Sequence, residues 1–372
     1  RRQFVAWDGG DVASEQRHDP ARGTPREIQQ AEQRRFAGPG WAGQEMERAG
    51  GQVEINVAEN LLANGDGIAI IGLLEDGTRV VISYAQLREK SAACAAAMRA
   101  MGITSGDRVV AWAPNTPEVI IFALGALSIG AVVSTASPDF APNAVQDRFG
   151  QVEPKLILLG DNYQYGGKTF DFKNKGDEII ALLPTLQKSV PISEFESWIA
   201  PFSNSKLEFT RLPFDHPGFV LFSSGTTGKP KCITHSGAGV MLKAGAEQLY
   251  QFDMKASERI FFFTTCGWMM WNWLFMCLLS KTTIVLYDGS PVFPTNSILF
   301  DIAEREKINF FGVSAKYIDG IKKAGLKPSE THDLSSIRMI GSTGSVLVPE
   351  SFDYIYESVK SDVHLASMSG GT

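Results

Sequence analysis

Apolar residues fall along this chain in two alternating rhythms. Runs such as IAIIGLL (68–74), RVVISY (79–84), DRVVAWAP (107–114) and AVVSTASP (131–138) are almost unbroken in Val, Ile, Leu and Ala, and they predict strands covered on both faces. Between them lie stretches whose apolar positions recur three and four residues apart. YAQLREKSAACAAAMRAMG (84–102) is predicted as a helix ending at Gly102, and TPEVIIFALGALSIG (116–130) as a helix with Pro117 and Glu118 in its first turn. NVAENLLA (56–63) opens a helix, and EDGT (75–78) turns the chain between the first two strands. The rhythm continues with strands at PKLILLGD (154–161), GFVLFSS (218–224), RIFFFTT (259–265), TTIVLYDG (282–289), NFFGVS (309–314) and SIRMIGSTG (336–344). Helices are predicted at AGVMLKAGAEQLYQF (238–252) and LFDIAEREKI (299–308). Strand, helix, strand implies parallel sheets, and no repeat period is evident. The expected fold class is therefore α/β, a layered sandwich of two sheet subdomains divided near Phe214.

Two stretches break the pattern. Residues 1–50 are rich in Arg, Gln, Glu, Gly and Ala without apolar periodicity, as in QQAEQRR and FAGPGWAGQ, and read as a flexible leader. The chain opens on Arg1 without the apolar core of a secretory signal, so it reads as a fragment at its beginning. Residues 260–279 (IFFFTTCGWMMWNWLFMCLL) carry no formal charge over twenty positions, long enough to span a bilayer. Thr264, Thr265, Cys266 and Gly267 interrupt them, and Asn272 lies in the second half. A buried strand followed by a buried helix is the preferred reading, a membrane anchor the competing one.

Charge and cysteine content narrow the function classes. A net charge of −6 and pI near 5.5 leave no electrostatic footprint for nucleic acid, so any anionic ligand must be held by local geometry. Cys94, Cys232, Cys266 and Cys277 show neither CxxC spacing nor Cys/His pairing. That argues against a zinc site or disulfide framework and for a reducing compartment, the cytosol; no metal ligand is assigned.

The sharpest chemistry lies in LFSSGTTGKPK (221–231), directly after an apolar strand. Gly225 and Gly228 permit close backbone approach, while the hydroxyls of Ser223, Ser224, Thr226 and Thr227 stand beside exposed amides, with Lys229 and Lys231 adjacent. These are the parts of an anion cradle. A Walker A loop requires Ser or Thr after its lysine, and here Pro230 follows Lys229, so the P-loop fold is excluded. A short Ser/Thr/Gly run also serves as a plain surface turn, but the eleven residues together are more specific.

Those eleven residues resemble the phosphate loop of the adenylate-forming family, which includes acyl-CoA synthetases, luciferases and peptide-synthetase adenylation domains. Further blocks stand in the family's order: GVSAKYI (312–318) resembles the segment behind the acyl pocket, IGSTGSVLVPESF (340–352) the strand and turn beside adenine, and SMSGGT (367–372) the start of the motif under the phosphates. NVAENLL, the run from Ser134 to Ile157, TTCGWMMWNWLFMCLL and VLYDGSP are similar to the acetoacetate-activating branch of the acid–CoA ligases. The resemblance covers about Gly51 to Thr372.

The resemblance implies an incomplete adenylation large domain over 51–372, lacking the family's small carboxyl-terminal domain. It implies an ATP-dependent ligation of acetoacetate to CoA through an acyl-adenylate, with ATP, Mg2+ and CoA as reaction partners and a small carboxylic acid as substrate. A ligase for another short acid such as acetate or propionate, or an inactive nucleotide-binding scaffold, are the alternative readings. Site roles follow in the same way: catalytic parts for Thr226, Lys229 and Thr372; nucleotide contacts for Ser223, Ser224, Gly225, Thr227, Gly228, Lys231, Gly344, Ser345, Val346, Ser367, Met368, Ser369, Gly370 and Gly371. Trp268, Met269, Met270 and Gly312 are candidates for the acid pocket or CoA tunnel, although bulky apolar residues at such spacing are also ordinary core. Gly370 stands where acetyl-specific relatives carry a pocket-closing tryptophan, so a larger acid fits; a simple Gly-Gly turn is the bland alternative. Lys168, in YGGK, is a candidate for the 3′-phosphate of CoA or a surface turn, and His235 a candidate gate or an ordinary hydrogen-bonded histidine.

Overall fold

The computed structural model describes residues 54–63, 65–223 and 228–372. The predicted leader, 1–50, lies outside them. Among the described residues, most strands gather into two sheets. The first runs, edge to edge, Cys232–Ser236, Pro217–Phe222, Val132–Ala136, Arg108–Trp112, Leu156–Leu159, Lys188–Pro191. The second runs His364–Ser367, Met339–Thr343, Phe310–Ser314, Arg259–Phe262, Thr283–Asp288, Ile68–Leu74, Arg79–Ser83. Each is parallel except for one antiparallel edge strand, Cys232–Ser236 in the first and Arg79–Ser83 in the second.

Strand alternation explains why the sequence reads as unbroken apolar runs. In the second sheet Ile70, Ile260, Ile284 and Phe310 face a shared core, while Ile71, Phe261, Val285 and Phe311 face the opposite way. The first sheet divides likewise: Val109, Ala111 and Leu158 enter the shared core, and Val110, Trp112 and Ile157 the outer one. Between the sheets run the helices Tyr84–Ala100 and Pro117–Ser128, the latter buried at nearly every position. Outer helices complete the layers, Ile298–Arg305 and Ala315–Lys323 on the second sheet, Pro142–Phe149 and Lys173–Leu182 on the first. The result is a five-layer α/β/α/β/α stack within one compact unit, Val53–Thr372.

The subdomain divide expected near Phe214 falls elsewhere. Pro217–Phe222 pairs parallel with Val132–Ala136 through Phe219 and Val133, so the first sheet extends to Ser236. The change of sheet comes between Ser236 and Arg259, and the second sheet also takes in Ile68–Leu74 from before the first. The long uncharged segment resolves into strand Arg259–Phe262, helix Met269–Met276 and a tight turn Cys277–Ser280. Among the described residues no helix is long and apolar enough to cross a membrane.

A buried polar junction joins the sheets at the carboxyl ends of their strands. The backbone N–H of Asn115, just past Arg108–Trp112, donates to Asp288 Oδ2 at 2.5 Å, and Asn115 Nδ2 donates to Thr264 O at 3.2 Å. Burial pushes the Asp288 carboxyl up to about 6; the Asn115 amide opposes this, and Asp139 and Glu75 reinforce it. A second polar cluster locks the far edge of the second sheet. Glu306, its side chain 2% exposed, accepts Arg79 Nε and Nη2 at 2.9 Å each and Arg305 Nε at 3.1 Å. Burial raises its carboxyl, but the guanidiniums outweigh burial and hold it below the usual range.

Two stability outcomes follow. Glu306→Ala is expected to cost roughly 3 kcal/mol in urea denaturation at neutral pH, because it leaves arginines without their buried partner. Since the Glu306 carboxyl is lowered in the fold, its stabilisation is present above pH 4.5 and lost below, so the gap between variant and parent narrows on acidification. Asp288 runs the other way: its raised carboxyl makes the folded chain hold the extra proton between pH 3.8 and about 6. Its contribution therefore falls as pH rises through that window. Asp288→Asn should gain stability relative to the parent between pH 4 and 7, by on the order of 2 kcal/mol, read from the same denaturation curves.

Candidate active site

In open α/β sheets ligands bind beyond the carboxyl ends of the strands. A cavity of about 890 Å3 lies at that end of the second sheet. Ser314 and Thr343, each the last residue of its strand, contribute to it, as do Phe262 and the segment that follows it. One wall is apolar: Trp268, Met269, Met270 and Trp273 come from the 269–276 helix and the residue before it. The floor is mostly small and polar residues, with Gly344 on one side and all of Ser367–Thr372 on the other. Thr343 Oγ1 donates to Met368 O at 2.9 Å and Met368 N–H to Ser342 O at 2.7 Å, which ties the terminal segment down beside its neighbouring strand. An apolar wall facing a polar floor suits a ligand with one greasy and one charged end.

A narrower cavity of about 80 Å3 adjoins the first, sharing Trp268, Met269 and Thr372. Leu221 and Phe222 line it, which brings the strand leading into the Ser/Thr/Gly loop beside the crevice. Ser223 N–H donates to Lys231 O at 3.1 Å and closes the base of that loop. Ser224, Gly225, Thr226 and Thr227 lie outside the described residues. Gly228 follows at φ 140°, a conformation that favours glycine. Lys229 is 75% exposed and its Nζ stands 3.7 Å from Asp147 Oδ1, a loose surface pair worth at most about 1 kcal/mol. Lys231 is exposed.

The expected site residues thus divide. Trp268, Met269, Met270, Gly344, Ser367, Met368, Ser369, Gly370, Gly371 and Thr372 meet in one crevice. Ser345 and Val346 follow Gly344 out to solvent. Gly312, expected in the acid pocket, is buried within its strand, where a Cβ would stand 2.1 Å from Phe262 Cδ2. Its missing side chain makes room for the Phe262 ring, and that ring reaches the crevice instead. His235 is half-buried opposite Phe219 in the first sheet, and burial lowers its imidazole. Lys168 is exposed on a small hairpin, Asn162–Tyr165 with Lys168–Asp171. The hairpin's Gly166 and Gly167 amides donate to the Glu75 carboxylate at 2.9 and 2.7 Å, so an internal anion already occupies them.

Sequence reasoning missed several lining residues. Lys243 and Glu247, one helical turn apart, form an ion pair on the rim, and Thr264, Thr265 and Ser314 complete the wall. The i, i+4 spacing of Lys243 and Glu247 was visible in the sequence; their place on the rim was not.

The profile of the AMP-binding enzyme family matches residues 57–366. Over 340 residues the chain is 46% identical to the acetoacetyl-coenzyme A synthetase of Rhizobium meliloti (strain 1021), covering 86% of this chain and 52% of that protein. It is 40% identical over 341 residues to the acetoacetyl-CoA synthetase of Mus musculus, covering 86% and 51%. The solved acetoacetyl-CoA synthetase from Streptomyces lividans superposes with a TM-score of 0.82 at 37% identity, over 86% of this chain and 52% of that one. The chain spans about half the length of the curated relatives it matches. With the matched profile running through both sheets, the chain belongs to the AMP-binding enzyme family.

Proposed function

We propose that the full-length protein is an ATP-dependent acid–CoA ligase acting on acetoacetate, and that the crevice is where the acid meets the nucleotide. The observation that carries this reading is the pairing of a Trp268–Met270 wall with a floor at Gly370 that is open: a Cβ there meets nothing within 4 Å. A four-carbon acid lies against that wall with its carboxylate toward Thr372 and the phosphate loop. Relatives at 40–46% identity are acetoacetyl-CoA synthetases by name, which supports the same acid.

In this reading the acid carboxylate attacks the α-phosphorus of ATP and pyrophosphate leaves. The CoA thiol then attacks the acyl carbonyl, releasing AMP and giving up its proton. The protein's part is position and charge. Lys229 exchanges its weak contact with Asp147 for the departing phosphates, and backbone around Gly344 and Ser367–Thr372 holds the nucleotide. Lys168 offers its ammonium to a phosphate of CoA, since the neighbouring glycine amides are taken by Glu75. Among the described residues no group of three or more His, Cys, Asp or Glu side chains is arranged to hold a metal. Magnesium would accompany the polyphosphate and offset part of its charge. A cytosolic location fits this reaction.

Acid-dependent ATP–pyrophosphate exchange by the full-length protein, with acetoacetate, acetate, propionate and butyrate side by side, tests the reading. Acetoacetate is expected to give the highest kcat/KM; a clear preference for acetate sinks the substrate assignment. Gly370→Trp should fill the open floor and shift kcat/KM toward acetate over acetoacetate by about ten-fold or more. Lys229→Ala should lower kcat by roughly 100-fold or more while leaving the urea midpoint unchanged, as expected of an exposed side chain that acts only in the reaction.

A further inference from the structure

The segment that carries the apolar wall belongs to neither sheet's ladder. It leaves the second sheet at Phe262 and enters its helix at Met269, and from Thr264 onward residues of the first sheet and of the loop after its Arg108–Trp112 strand hold it. Asn115 holds both ends: its Nδ2 donates to Thr264 O at 3.2 Å, and its Oδ1 accepts the Trp271 Nε1–H at 2.9 Å. Thr135 Oγ1 donates to Cys266 O in the middle. Asn115 is itself oriented from behind, because its backbone N–H is donated to Asp288. Asn115 and Trp271 are at most 1% exposed, so water does not substitute for these partners. A planar carboxamide suits this double anchor because it offers a donor and an acceptor from one short side chain, where Asp lacks the donor and Leu both.

We propose that Asn115, oriented by Asp288, is a positioning residue for acid recognition. It sets where Trp268, Met269 and Met270 stand across the crevice without itself touching the substrate. This rests on the crevice being the acid site. Three residues from Thr264 to Trp268 separate the first anchor from the wall, and Trp271 follows Met270 directly, so a shift at either anchor passes into the wall within a turn of backbone. The polar floor at Ser367–Thr372 hangs on Ser342 and Thr343 instead and is independent of Asn115. Loss of Asn115 is therefore expected to affect the acid and spare ATP.

The test is steady-state exchange kinetics on the full-length protein, with KM for acetoacetate and for ATP measured separately. Asn115→Ala is expected to raise the acid KM about ten-fold or more with the ATP KM within about two-fold. Trp271→Phe removes the indole donor while leaving a smaller ring to pack on Phe275, whose centroid is 5.7 Å from that of the indole, so it reports if the alanine variant does not fold. It should raise the acid KM in the same sense. A fall in kcat alone, or equal rises in both KM values, overturns the proposal. A parent protein with no acid-dependent exchange for any carboxylic acid overturns the functional reading first and the inference with it.

Discussion

The architecture depends on how two sheets are held together at the one end where they must also stay apart. Each sheet is apolar on both faces, and the shared core between them is closed by two helices. Hydrophobic burial is not directional, so it presses the layers together without fixing where their strand ends lie. The hydrogen bonds that Asn115 donates to Asp288 and Thr264 and accepts from Trp271 supply the direction. They are costly to break because nothing replaces them inside the junction, and that cost places the 264–271 segment. The Asp288 carboxyl belongs to this arrangement: it is buried against its own preference, as its upward shift to about 6 records.

In the proposed reading the crevice separates two kinds of recognition. Its wall is bulky side chains, Trp268 and the methionines, and its floor is the small residues Gly344, Gly370 and Gly371 with their neighbours in Ser367–Thr372. Side chains discriminate by shape, while backbone amides and an exposed lysine suit phosphate whatever is attached to it. This explains how a chain of net charge −6 can be read as binding a polyanion. The field of the whole molecule does not help, and the work falls to a few local donors. Glu75 makes the same point in reverse: its carboxylate fills the paired glycine amides of the hairpin, so what that hairpin has to offer an outside anion is the exposed ammonium of Lys168.

Much of this was legible in the sequence, for identifiable reasons. Parallel strands buried on both faces leave continuous apolar runs, and 68–74, 107–114 and 282–289 all became strands. The helix at 117–128 was visible from Pro117 and Glu118 at its start. Short elements with mixed composition were not read, such as the edge strands Lys188–Pro191 and Cys232–Ser236, because four or five residues with exposed positions carry too little pattern. What the glycine at 312 is for was not legible, because a motif records that a glycine is needed and not which neighbour needs the space; here it is the Phe262 ring.

By itself the sequence determined the strand and helix alternation, the anion-cradle composition of 221–231 and the order of motifs that places the chain in its family. These are local properties, set by side-chain periodicity and by which residues tolerate tight backbone. Tertiary structure alone decided that the first sheet runs on to Ser236, that Asn115 reaches across to Asp288, and that Ser367–Thr372 and Trp268–Met270 face each other over one crevice. Those facts join residues far apart along the chain. They depend on which buried polar groups find partners when the layers close, and no run of neighbouring residues records that.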